Sequence, residues 1–245
     1  MASQNIPDTA EVFDHFVALT SIAPEPGGAL LFYGELDGCG MATAVAANIA
    51  GAASLGVDRD GDRAKTAVRL GFCDFMVNSL DEALRILKNQ LRKKEPAAVA
   101  LVGDPESIVS EMLERGVQPD LVTRRGMQAG AFMERGAKAV PAAVTAGSLV
   151  VTWSVSQDAA LWLARVDAVA IDALESEDDP RAGWIRLAPR YLRRDLSRER
   201  YVRMQAEELT RFVELLQERM QSGEIAVPVQ VSSDGQPVTH SSATV

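Results

Sequence analysis

The chain has 245 residues, 47% hydrophobic but only 5% aromatic, and a net charge of −9. That allows one sizeable α/β domain with additions or two small domains, and the dominance of Ala, Val and Leu favours helices packed on a compact sheet over an aromatic-rich barrel. The acidic balance with dispersed basic residues argues against nucleic acid, and two cysteines and two histidines without metal-ligand spacing argue against a zinc site.

The N-terminal MASQNIPDTAEVFDHF lacks the basic and apolar regions of a signal peptide, and no apolar run approaches the roughly 20 residues of a membrane span. The chain therefore reads as soluble and cytoplasmic. Asp8 before Thr9-Ala10-Glu11 predicts a helix start, and Val12, Phe13, Phe16 and Leu19 follow at helical spacing. Residues 1–27 read as a helical extension on the outside of the domain, ended by Pro24, Pro26 and Gly27-Gly28.

Parallel α/β alternation follows. Residues 29–33 (ALLFY) form an apolar run of buried-strand type, 34–40 a loop, and 41–53 a helix rich in small residues. Strands are predicted at 54–58, 72–77, 97–102 and 120–123, with helices between them. Ser79 with Asp81 and Glu82 suits the start of a helix running to Lys94, whose end is basic as the macrodipole prefers. Asp104-Pro105 opens another that Gly116 closes. Such units cross over right-handed and bring their loops to one sheet edge.

Beyond Pro141, residues 148–155 predict a further strand and 157–164 a helix, while 166–173 fits either. The expected Rossmann-like parallel sheet flanked by helices occupies 28–175, and a C-terminal helical segment follows at 176–228. Within the latter, 198–222 reads as one long amphipathic helix with Tyr201, Met204, Leu209, Phe212 and Leu216 on its apolar side, which packs on the domain or forms a homodimer seam. The Arg-rich 190–203 alternates with acids and reads as a solvated flank, and 229–245 as a tail without fixed structure.

The segment with chemical content is Gly34-Glu35-Leu36-Asp37-Gly38-Cys39-Gly40, between a strand and a helix, with Asp58 ending the next strand 20 residues after Gly38. Glycines let backbone approach a pyrophosphate, the helix N-terminus attracts it, and an acid ending the second strand accepts ribose hydroxyls. An acid there favours NAD over its 2′-phosphorylated form. Thr43 stands where a third Gly or Ala is usual, so the pattern also fits a tight β–α turn without ligand. Cys39 reads as a backbone spacer, Cys73 as core, and His15 as structural. Arg124-Arg125 could receive an anion or be a solvated pair.

GELDGCGMATAVAANIAGAASLGVDRDGDR, followed by SLDEALRILKNQ and VALVGDPESIVSEMLERGVQPDLVT, resembles the Rossmann-like cofactor domain of urocanase (urocanate hydratase), with its GGMGGAQ-type loop. The resemblance spans 28–141 without gaps. It implies that Gly38, Cys39 and Gly40 contact the NAD pyrophosphate, that Asp58 replaces a ribose-binding Glu, and that Arg63 matches an NAD-contacting Arg. Asp104 and Pro105 match an Asn-Ala pair in the next strand-to-helix loop.

The departures are equally definite. The family's QTSAH falls on Arg125-Gly126-Met127-Gln128-Ala129, and the Gln and Pro after the glycine loop become Thr43 and Ala44. Arg125 and Gly126 therefore enter the expected cofactor set by position only. Urocanases are more than twice as long, with a core that supplies the substrate pocket and a catalytic cysteine. In that family NAD acts as an electrophile toward the imidazole ring, and no group here is assigned to the chemistry around it. The expectation is a urocanase-like NAD-binding protein without full hydratase activity on its own, acting as a partner subunit or NAD-responsive protein. A small NAD-using lyase or oxidoreductase and a non-catalytic interaction module stand as alternatives.

Overall fold

In the computed structural model, which describes residues 6–123, 129–142, 147–174, 176 and 178–241, the chain divides into two units, 1–144 and 145–245. The first contains, in order, α1 (Thr9–Ile22), β1 (Leu30–Gly34), α2 (Gly38–Ala50), β2 (Ala53–Asp58), α3 (Gly61–Arg69) and β3 (Phe75–Val77). It continues with α4 (Leu80–Lys93), β4 (Ala97–Val102), α5 (Pro105–Glu114), β5 (Leu121–Thr123), α6 (Ala129–Glu134) and β6 (Lys138–Val140).

The strands pair in parallel as a six-stranded sheet in the order β3-β4-β2-β1-β5-β6. All of β2 (ASLGVD) is buried, as is most of β4, as helices on both faces require. One core gathers Leu55, Leu87, Val99, Leu101 and Met112, and a second gathers Leu19, Leu31, Ala47 and Leu121. Each fully buried large aliphatic side chain contributes about 1.5–3 kcal/mol.

β1 lies between β2 and β5. The chain puts β2, β3 and β4 on one side of β1, with β4 inserted between β2 and the edge strand β3, then adds β5 and β6 on the other. The direction of building thus reverses between β1 and β5, and the C-terminal edge there is the topological switch point where open α/β sheets bind ligands. Five helices start on capping side chains: Asp8, Asp37, Asp60, Ser79 and Asp104 each accept a first-turn N–H.

α1 packs on the parallel-sheet unit as expected, and two other features differ from the sequence reading. α1 belongs to this first unit: Val12, Phe13, Phe16 and Leu19 are buried and the helix packs along α2. Ala47 of α2 shares a buried cluster with Ala18 and Leu19 of α1. α6 and β6 were not anticipated, being too short to show periodicity. The third strand is confined to Phe75–Val77.

The second unit holds β7 (Leu149–Val155), α7 (Ala159–Asp172), α8 (Pro180–Tyr191), α9 (Arg193–Leu196), β8 (Glu199–Met204), α10 (Ala206–Gln221), β9 (Val229–Ser233) and β10 (Gln236–Ser241). Its sheet is antiparallel, in the order β10-β9-β7-β8. The boundary expected at 175 thus differs from the division at 144/145, because 149–155 pairs with β8 and β9 instead of extending the parallel sheet. The expected helix over 198–222 begins only at Ala206; before it, Val202 and Met204 are both buried at strand period. The tail from 229 forms a hairpin, held by the alternate burial of Val229 and Val231.

Charged side chains are tied into this second core. Asp167 accepts from Trp153 Nε1 and Arg200 Nε, both at 2.9 Å. Arg181 reaches Glu208, itself 1% exposed, and Asp179. Among the described residues no helix is long and apolar enough to cross a membrane.

Candidate functional site

β1 ends at Gly34, and Glu35–Asp37 turn the chain directly into α2, whose first residues are Gly38, Cys39 and Gly40. Asp37 starts the helix: its Oδ1 accepts the Gly40 N–H at 2.8 Å and its carbonyl accepts the Met41 N–H at 2.9 Å. The turn is so tight that a Cβ on Gly40 would stand 1.9 Å from the Glu35 carbonyl oxygen. One strand away, a Cβ on Gly56 would meet the Tyr33 ring at 2.5 Å. Both glycines are needed by the fold's own close approaches.

Asp58 ends β2 and is 3% exposed. Its Oδ2 accepts the Leu36 N–H at 3.0 Å and Arg63 Nη1 at 2.9 Å, and its Oδ1 accepts the Asp60 N–H at 2.8 Å. The structure thus brings Asp58 and Arg63 together, and makes the carboxylate a buried brace between the loops after β1 and β2.

Asp104 follows β4 at the same edge and caps α5 through the N–H and hydroxyl of Ser107, at 3.0 and 2.8 Å, with Pro105 in the first turn. It also pairs with Arg59. The Ser107 hydrogen bonds foremost, with the Arg59 guanidinium, hold the Asp104 carboxyl below its usual range. Arg59 was not singled out from sequence, although it directly follows the acid ending β2. Arg124, Arg125 and Gly126, expected on the β5 side of the crevice, lie outside the described residues.

The two cysteines have different surroundings. Cys73 lies just before β3 rather than inside a strand, buried with its Sγ 3.6 Å from the Tyr33 hydroxyl, and burial pushes its thiol up to about 12. Cys39 turns toward α1, its Sγ 3.3 Å from His15 Nε2, while Thr43 Oγ1 lies 3.2 Å from His15 Nδ1.

A family model described as the urocanase Rossmann-like domain matches residues 8–133, just over half of the chain. The chain belongs to the urocanase family. The match begins at Asp8, so α1 lies within the family's domain, as its packing on α2 indicates. It also takes in the glycine turn, Asp58, Arg63 and Asp104. Against the urocanase loop pattern GGMGGAQ, Asp37 and Met41 hold the glycine positions on either side of Gly38-Cys39-Gly40. Asp37 places a carboxylate on the helix N-terminus, and Met41 is buried as a core side chain. This urocanase-family unit keeps the sheet and its tight turn while capping α2 from within.

Proposed function

We propose that the urocanase-like unit holds NAD across its switch point, as an NAD-binding protein or partner subunit without full urocanate hydratase activity on its own. One observation carries the reading: a close-approach glycine turn and the acid ending the neighbouring parallel strand meet at one sheet edge, bridged by the Leu36–Asp58 hydrogen bond. The pyrophosphate would lie against the first-turn N–H groups of Gly38 and Cys39, since those of Gly40 and Met41 serve the Asp37 cap. Asp58 would take the adenosine ribose by exchanging its Arg63 partner, whose side chain is 33% exposed, for hydroxyl donors. Asp104 and Pro105 flank that side, and the resemblance adds Arg125 and Gly126, outside the described residues, to the same cofactor set. When bound, NAD supplies an electrophilic nicotinamide ring; the residues of this chain bind and orient it.

A ligand-free interaction module is the rival, favoured by a specific observation: the Asp37, Asp58 and Asp104 carboxylates all have internal partners. Mass spectrometry of material released from the denatured protein, with calorimetric titration of NAD into the purified chain, separates the two. NAD in near-stoichiometric amount, or saturable binding, is expected; its absence from both assays sinks the cofactor assignment. Urocanate absorbance is expected to persist on incubation, and its loss would overturn the non-catalytic part.

A further inference from the structure

At the outer side of the glycine turn three ligand-type side chains converge. Glu11 and His15 lie one helical turn apart on α1, and Cys39 comes from the first turn of α2. A carboxylate oxygen of Glu11, a ring nitrogen of His15 and the Cys39 Sγ all lie within 4.8 Å of one another, and all three residues are partly exposed. We propose that Glu11, His15 and Cys39 form a binding site for a divalent metal ion of the zinc class, with a fourth position open.

The donor arrangement supports this. Thr43 Oγ1 donates to the Cys39 carbonyl at 2.8 Å, so at its 3.2 Å contact with His15 Nδ1 the hydroxyl is the acceptor. Nδ1 then carries the ring proton, and in the neutral imidazole Nε2 presents its lone pair toward the Cys39 Sγ 3.3 Å away. A second-shell partner that fixes a histidine tautomer in this way is a recurrent feature of metal sites. Tetrahedral zinc with Zn–S near 2.3 Å and Zn–N near 2.0 Å sets its sulfur and nitrogen ligands about 3.5 Å apart, so small shifts suffice. Ionised Cys39 and Glu11 would balance the charge of a divalent ion, and a thiolate, imidazole and carboxylate together match zinc better than magnesium or calcium. Sequence spacing concealed the set, because its members come from two helices separated by β1.

The thiol turns toward α1, so the site does not depend on NAD, and its test uses metal alone. The reduced, chelator-treated full chain is titrated with cobalt(II). A thiolate-to-cobalt charge-transfer band saturating at a single equivalent, and abolished by zinc(II), is expected. The band should survive Cys73→Ser and vanish in Cys39→Ser, with circular dichroism verifying the fold. Glu11→Gln and His15→Gln should each weaken zinc affinity roughly tenfold or more, as should Thr43→Val through its outer-shell role. In the unmutated protein, zinc should slow alkylation of Cys39 by iodoacetamide. Absence of the band, its persistence in Cys39→Ser, or alkylation indifferent to zinc would overturn the assignment.

Discussion

The Leu36 N–H donates to the Asp58 carboxylate at 3.0 Å across 22 residues of sequence, joining the turn after β1 to the end of β2. The same oxygen holds Arg63, and the other accepts the Asp60 N–H. Asp58→Ala removes these acceptors together. A buried donor left without a partner costs about 1–3 kcal/mol, so a loss of roughly 2–4 kcal/mol in urea unfolding is expected. Amide exchange at Leu36 should accelerate, and NAD affinity should fall sharply if Asp58 takes the ribose. Asp58→Asn, which keeps an acceptor oxygen, should be milder in stability. A change below about 1 kcal/mol for the alanine variant would remove the brace from the account.

The buried Cys73 and Tyr33 make the unit sensitive to alkali. Burial, foremost, pushes the Cys73 thiol from about 9 up to about 12 and raises the Tyr33 hydroxyl above its ordinary value. The unfolded chain gives up the thiol proton near pH 9 while the folded chain keeps it. Stability therefore falls as pH rises between about 9 and about 12, by up to about 1.4 kcal/mol per pH unit. Cys73→Val should make the decline between about pH 9 and 11 shallower, with chemical-denaturation midpoints as the measure. An identical slope in the variant would show that Cys73 does not control this window.

The parallel unit was legible because its strands are near-continuous apolar runs and α1 to α5 begin on Asp or Ser caps. Residues 97–102 were read with the bounds the structure has, since β4 is buried almost throughout. The second unit was harder. The stretch 198–222 combines two periods, strand alternation through Val202 and Met204 and then a helical face through Leu209, Phe212 and Leu216, and a single helix fits their sum. At the site, glycine spacing and the acid ending β2 were visible in one dimension. The partners of that acid were not, because Leu36 and Arg63 reach it only once strand register is set. The pairing of His15, read as structural, with Cys39 was hidden for the same reason: nothing local ties the two together.

In the second unit, Arg181 sits between Asp179 and Glu208, with contacts of 2.5 Å to each. Burial opposes its charge, but hydrogen bonds to both carboxylates outweigh that and raise its pKa. Glu208 also accepts the Gln205 N–H at the start of α10, so the cluster fixes that helix N-terminus. Arg181→Ala leaves Glu208, 1% exposed, without its cation. A loss of about 3–5 kcal/mol is expected by denaturant unfolding. Arg181→Ala combined with Glu208→Gln should recover part of it, because Glu208, the more deeply buried of the two carboxylates, is then uncharged. A double variant no more stable than the single one would locate the loss in packing.

Gly40 and Gly183 should respond to alanine with opposite signs. A methyl at Gly40 would press on the Glu35 carbonyl at 1.9 Å, and that backbone cannot yield without unseating Asp37 from the start of α2. Overpacking of this kind costs typically 1–3 kcal/mol and here should reach the upper part of that range. Gly183 lies inside α8 with nothing within 4 Å of its would-be Cβ. There alanine removes the helix penalty of glycine and should stabilise by about 0.5–1 kcal/mol. Thermal unfolding of the two variants beside the parent measures both effects. NAD titration of Gly40→Ala then adds a separate reading. Stability lost together with affinity is expected if the turn approaches the pyrophosphate, whereas unchanged affinity would confine the Gly40 requirement to the fold.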